Sequence, residues 1–213
     1  MFALSRIAAT VTAGALMTAP ALANENNEPN FDYVGGSYVK VDVLDESIDG
    51  FAVDFEKSLT ESFFFGAEYT DASDNVDFNV GDVEAAGVDL SADLLHVNAG
   101  YKFFNNGRTV VYGSAGYSRA EATSDISFVD GELTDSYSES ESGWNAQVGV
   151  RSRLTTNFEV DANVRHIDIA DDSDQAYSAT GRYFLGDNFS VFAKYTHIDS
   201  DLSYAGVGAS FHF

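Results

Sequence analysis

Cysteine is absent from the 213 residues, and proline occurs only at Pro20 and Pro29. Without cysteine there are no disulfides, so an exported chain must take its stability from the sheet itself. Bases are scarce, 11 Lys and Arg against 34 Asp and Glu, giving a net charge of −23. Such a field repels nucleic acid and argues against binding it. Beyond the N-terminus no run approaches eighteen uninterrupted apolar residues, which excludes a helical membrane protein. No Gly-x-Ser-x-Gly elbow, phosphate-binding loop or Cys/His metal spacing is present. What the chain has instead is 14% aromatic residues and 18 glycines, a β-rich composition.

The first segment is a leader. Met1 to Ala23 has one charge, Arg6, then an apolar run that closes on Ala21-Leu22-Ala23 and gives way to Asn24-Glu25-Asn26-Asn27. A short apolar run ending in a small-x-small site reads as a cleaved secretory signal peptide, and it is too short and too rich in Thr and Gly for a spanning helix. The mature chain, Asn24 to Phe213, has 190 residues, enough for one domain.

The other end alternates. Phe213, Phe211, Ala209, Val207 and Ala205 share one parity, with His212, Ser210, Gly208, Gly206 and Tyr204 between them. Period-two alternation sets one face against an apolar medium. Upstream, a tight turn recurs. Leu59, Leu154 and Leu185 are each followed by three polar or small residues and then Phe63, Phe158 or Phe189. A fourth turn, Asn105-Asn106-Gly107-Arg108, carries an Asn-Gly hairpin signal. The pattern gives ten strands, near 31–42, 49–58, 63–72, 93–104, 109–120, 142–153, 158–167, 175–184, 189–198 and 202–213. Each is close to the length a tilted strand needs to cross a bilayer. Eight strands result if one hairpin is really a loop. The fold class expected is all-β: a closed antiparallel up-and-down transmembrane barrel.

Parity divides each strand into two faces. One, nearly free of charge, holds Tyr33, Val39 and Val41, then Phe51, Val53, Phe55, Phe65, Tyr69, Val97, Trp144, Val148, Tyr183, Val191 and Tyr195. It is the expected lipid face, with aromatics near its ends. The other holds Lys40, Asp54, Glu56, Glu68, Lys102, Arg151, Arg153, Glu159, Asp161, Arg165, Arg182 and Lys194. A soluble β-sandwich would show the reverse arrangement. These twelve are expected to form ion pairs across a narrow lumen, either plugging it or lining a small pore.

Charge is segregated as well. Of the 34 acids, 24 fall in five segments without Lys or Arg: 42–49, 71–93, 121–141, 168–174 and 199–201. These read as exposed loops forming an acidic crown on one rim. Asp171, Asp172 and Asp174 are weak candidates for a hard divalent cation but lack an EF-hand pattern. The repeated His166-Ile167-Asp168 and His197-Ile198-Asp199 could activate water, yet both histidines fall on the lipid-facing parity. No catalytic residue and no cofactor is assigned.

The chain resembles small outer-membrane β-barrel proteins, the class that includes OmpA transmembrane domains and OmpX-like and opacity-type proteins. The residues that carry the likeness are Ala21-Leu22-Ala23, Tyr33-Val34-Gly35-Gly36-Ser37-Tyr38, Val148-Gly149-Val150-Arg151 and Phe211-His212-Phe213. The resemblance implies location in a bacterial outer membrane, beside its lipid and lipopolysaccharide. It implies Phe211 and Phe213 as the signal read by the barrel-assembly machinery after periplasmic chaperones. Divalent cations could bridge the crown to lipopolysaccharide phosphates. The function expected is structural or surface-interacting, with a narrow channel as alternative and an outer-rim hydrolase of omptin type more remotely.

Overall fold

A computed structural model describes residues 28–43, 46–80, 83–128, 133–170, 172–198 and 202–213. The leader expected over 1–23, and Asp171 and Asp199, lie outside the described residues. Ten strands run in chain order: β1 (Tyr33–Val43), β2 (Glu46–Ser58), β3 (Phe63–Val80), β4 (Val83–Asn105), β5 (Thr109–Phe128), β6 (Leu133–Arg153), β7 (Phe158–Ile169), β8 (Asp172–Phe184), β9 (Phe189–His197) and β10 (Leu202–His212). Each pairs antiparallel with its sequence neighbours, and β1 closes on β10 from Tyr33 opposite His212 to Val43 opposite Leu202. Closure leaves no edge in the barrel wall, so strand pairing can satisfy its backbone without water.

The repeated turns share one geometry. The Leu59, Leu154 and Leu185 N–H groups each donate to the carbonyl of Phe63, Phe158 or Phe189 at 2.8 Å. In the first two, Thr60 Oγ1 and Thr155 Oγ1 accept from the Phe63 and Phe158 N–H groups at 2.9 and 3.0 Å, locking the turn. In the fourth, Gly107 takes φ 78°, a left-handed conformation open to glycine. Asn106 Oδ1 there accepts from the Thr109 N–H at 2.7 Å. These four tight turns, the start of β1 and the end of β10 lie at one end of the barrel.

The opposite end departs from the expected loops. The acidic segments 71–93 and 121–141 are largely the far arms of two hairpins, so β3 to β6 reach 18 to 23 residues. The β3–β4 ladder continues unbroken from Phe63 opposite Tyr101 to Phe78 opposite Ala86. The physical reason is the missing proline. No residue beyond Pro29 lacks a ladder donor, so pairing already in register at the barrel continues outward. A spanning strand needs about 10 residues, so β4 carries about 13 more, roughly 40 Å of strand.

The two walls differ sharply in character. Outward-facing side chains include Tyr38, Phe51, Tyr69, Tyr117, Trp144 and Tyr195 towards the hairpin end, and Phe63, Tyr101, Phe103, Tyr183, Phe189, Phe211 and Phe213 towards the turn end. All of these are at least one-third exposed, and together they make two aromatic belts around an apolar wall. The inward wall carries the buried charges.

Candidate functional site: the barrel lumen

Lumen side chains come from the parity opposite the belts, on every strand. The organising group is the Arg151 guanidinium on β6, which is only 3% exposed. Its Nε donates to Asp161 Oδ2 at 2.9 Å, and its two Nη groups grip Glu56 at 2.7 and 3.0 Å. A planar fork suits such a two-pronged carboxylate grip. Nη1 also donates to the Asn30 carbonyl at 2.8 Å. Asp161 accepts in turn from the Tyr112 hydroxyl at 2.9 Å.

Two further clusters flank this one. Towards the turn end, Glu159 is fully buried and binds Arg182 Nη1 at 2.6 Å, with Arg153 Nε at 3.5 Å. The Arg153 guanidinium lies 3.6 Å from the Phe184 ring centre and that of Arg182 4.5 Å from Tyr33, spreading their charge over aromatic faces. Towards the hairpin end, Glu68 is held between Lys194 and Arg165, the latter at 2.9 Å. Arg165 Nε donates to Gln147 at 2.8 Å, and Asp54 lies 3.9 Å from Lys194. Five carboxylates thus meet five bases in one continuous stack. Isolated buried charge is prohibitive, so the pairs and their hydrogen bonds are a condition of folding.

Sequence parity missed a plug beneath the stack. Residues 28–32 turn back into the lumen mouth, where Phe31 is 1% exposed and packs on Phe64 and Tyr112 at ring distances of 4.9 and 5.6 Å. With Val110 they form an apolar floor. The Arg151 guanidinium lies 4.1 Å above the Phe31 ring, and Lys102 Nζ lies 4.5 Å from it. Lys102 therefore faces the lumen, bonded to Ser58 Oγ at 3.2 Å. Nothing in the pattern separates Phe31 from the strand that follows, so alternation could not reveal its inward fold. Above the floor a cavity of about 80 Å³ remains, lined by Asp54, Glu68, Asn98, Arg165 and Lys194 among others.

Lys40 is not in the lumen. On β1 the inward residues are Tyr33, Val39 and Val41, while Tyr38 and Lys40 face out. Phe51, half-exposed, lies directly opposite Tyr38 and fixes the phase. The error has a physical source. Towards the hairpin end Val39, Ala52, Ala72, Ile167 and Ala176 face inward beside buried Ser118, Asn145 and Thr196, so on β1 an apolar residue marks the inside. His166 packs against Trp144 at a ring distance of 5.1 Å and His197 is exposed, both on the outward wall, away from lumen carboxylates. Asp172 and Asp174 are exposed at the start of β8. Phe213 is outward, 6.2 Å from Phe55 and capped by Lys57 at 4.7 Å. Lys57 in turn binds Asp32 at 2.9 Å. Burial alone would raise the Asp32 carboxyl, but that ammonium and the Ser58 N–H hold it below the usual carboxylate range.

A largely apolar, aromatic-belted outer wall around a charged interior needs a lipid surrounding, and the sequence comparison agrees. Residues 9–181 match the family model described as outer membrane protein beta-barrel domain. The chain belongs to that family. It is a protein of the bacterial outer membrane. No curated protein matches it. Among solved structures it is similar to Ail of Yersinia pestis, at 15% identity, TM-score 0.46, covering 85% of this chain and 95% of that one. It is similar to OprG of Pseudomonas aeruginosa at 16% identity, TM-score 0.42, covering 89% and 99%. The outer membrane protease OmpT of Escherichia coli gives 10% identity, TM-score 0.49, covering 85% and 94%.

Proposed function

We propose that this outer-membrane barrel is a closed, non-conducting and non-catalytic structural scaffold whose outer hairpins serve surface interaction. One observation carries the reading: Arg151, bound to Glu56, Asp161 and the Asn30 carbonyl over the Phe31 ring, fills the lumen from wall to wall. A solute crossing here has to break several buried, charge-assisted bonds at once, each set against the desolvation of what remains. The two long hairpins then supply the accessible surface, and their acidity suits cationic partners or divalent ions more than anionic ones. The leader directs export and is cleaved after Ala23, and Phe211 and Phe213 present the assembly signal to the barrel-assembly machinery.

The test is swelling of liposomes that hold the refolded mature chain, in isotonic arabinose. Swelling at the protein-free rate supports the scaffold. Faster swelling favours a second reading, a narrow channel, for which the polar cavity beside Asp54 and Glu68 is the supporting feature.

A further inference from the structure

The polarity of the two faces inverts along β3 to β6. In the barrel wall the outward parity is apolar and the inward parity carries the charges. Past Tyr69 the outward parity turns acidic: Asp71 lies opposite Asp93, and Asp93 opposite Glu121. Three carboxylates abreast do not face hydrocarbon, so these arms stand clear of the lipid. The inward parity becomes apolar over the same stretch. Ala72 lies opposite Ala92, and Ala92 opposite Ala122. Two rows further out Val76 lies opposite Val88, and Val88 opposite Ile126. Over 72–78, 86–94 and 120–128 that parity holds one charge, Asp74.

The arms also outrun their neighbours. The β2–β3 ladder ends with Asp49 opposite Ser73, and the β6–β7 ladder with Gly143 opposite Ile169. Beyond those points β3 to β6 form a four-stranded sheet with its apolar parity turned over the barrel mouth. An antiparallel sheet with one polar and one apolar face packs the apolar face on a core. Here Ala92 and Ala122 are exposed on it, which marks an interaction surface.

The flank of this face says what covers it. β6 borders it with an acidic rail: Glu139 lies opposite Ala122 and Glu141 opposite Ala120, both glutamates exposed. Glu139 accepts from the Tyr137 hydroxyl at 3.1 Å, and residues 121–141 contain no Lys or Arg. This chain has no further segment to lay there, since no gap between described segments exceeds four residues. A second copy would set the same acids against the rail. A cationic amphipathic helix meets both demands. The face runs about 27 Å along β4 from Leu94 to Ala86, the length of about 18 helical residues. Its three apolar strands span about 10 Å, the diameter of a helix. Glu139 and Glu141 are about 6.6 Å apart along the strand, close to the roughly 6 Å between bases at i and i+4.

The geometry points to a peptide site: the inner face of the β3–β6 sheet receives an amphipathic helix of another molecule, its apolar stripe on the alanine floor and its Lys or Arg side chains on Glu139 and Glu141. This deepens, and rests on, the proposal that the long hairpins serve surface interaction.

The chain has no cysteine, so single labels test the site. Ala122→Cys and Thr123→Cys, neighbours on opposite faces, each carry an environment-sensitive dye in the folded mature chain, held in nanodiscs of zwitterionic phosphatidylcholine. The probe is a synthetic 18-residue helical peptide with a leucine stripe and lysines on its polar face. It should shift the dye at 122 to the blue, saturably, and leave the dye at 123 unchanged. Adding Glu139→Gln and Glu141→Gln should raise the midpoint about tenfold, the weight of two exposed ion pairs, with heat-sensitive gel mobility unchanged. A shift at neither site, or an equal shift at both, overturns the proposal. So does an unmoved midpoint in the double glutamine variant. A peptide with serine for leucine and the same lysines should give no shift at 122. If it shifts that dye as well as the first peptide does, the apolar face is not the site, while cationic binding by the hairpins stands. If neither peptide binds wild-type discs better than empty ones, read from the anisotropy of labelled peptide, the hairpins' preference for cationic partners fails as well.

Discussion

Replacing Arg151 by methionine keeps the length of the side chain and removes its charge. The deletion strands two carboxylates. Asp161 keeps the Tyr112 hydroxyl and Asn163, but Glu56 loses both of its guanidinium bonds. Breaking a buried pair by removing one partner costs about 3–5 kcal/mol, because the surviving charge is uncompensated. With a urea dependence of about 2 kcal/mol per molar, the unfolding midpoint should fall by about 2 M. Trp144, the only tryptophan, is half-exposed on the outer wall and reports unfolding without touching the network. The triple variant Arg151→Met, Glu56→Gln, Asp161→Asn removes the stranded charges and should recover at least half of the loss. An Arg151→Met midpoint within about 0.5 M of the wild type would refute the view that this network is a condition of folding.

Phe31→Ala should cost about 3 kcal/mol in the same titration, by emptying the apolar floor against Phe64 and Tyr112. Deleting residues 28–32 should leave a folded barrel with raised ion leakage, measured as potassium efflux from liposomes. Asp32 is held below the usual carboxylate range by Lys57 and the Ser58 N–H, so its contribution is present above about pH 4 and is lost as pH falls further. Both groups are partly exposed, so Asp32→Asn should cost under about 1 kcal/mol at pH 7 and less at pH 2.5, read from urea midpoints at the two pH values. Backbone amides at 72–78 and 121–126 should exchange slowly in deuterium oxide, as ladder members do; exchange at loop rates would contradict the long hairpins.

Strand number, turn positions and the charged faces of β2 to β9 were legible because lipid and lumen impose opposite demands on alternate residues. Glu68, Arg151 and Lys194 stand out on a parity that is otherwise small or polar. The same logic failed on β1, where Val39 and Val41 face the lumen and Lys40 faces out. Alternation reports a difference between two faces but not which face is lipid, and β1 has its one base on the apolar side. The acidic arms read as loops because composition speaks of solvent, whereas the ladder needs only free backbone donors and acceptors. Phe31 was invisible because a residue's turning back into the barrel depends on tertiary fit with Phe64, Tyr112 and Arg151.

The most direct test of a closed lumen is planar-bilayer recording from the refolded mature chain, with its heat-sensitive gel mobility checked first. The account predicts a silent bilayer from folded protein, with the lumen held shut by the Arg151 bridge and by residues 28–32 beneath it. Steady unitary conductance from the intact chain would contradict it, and would make the stack from Glu159 to Glu68 the lining of a pore.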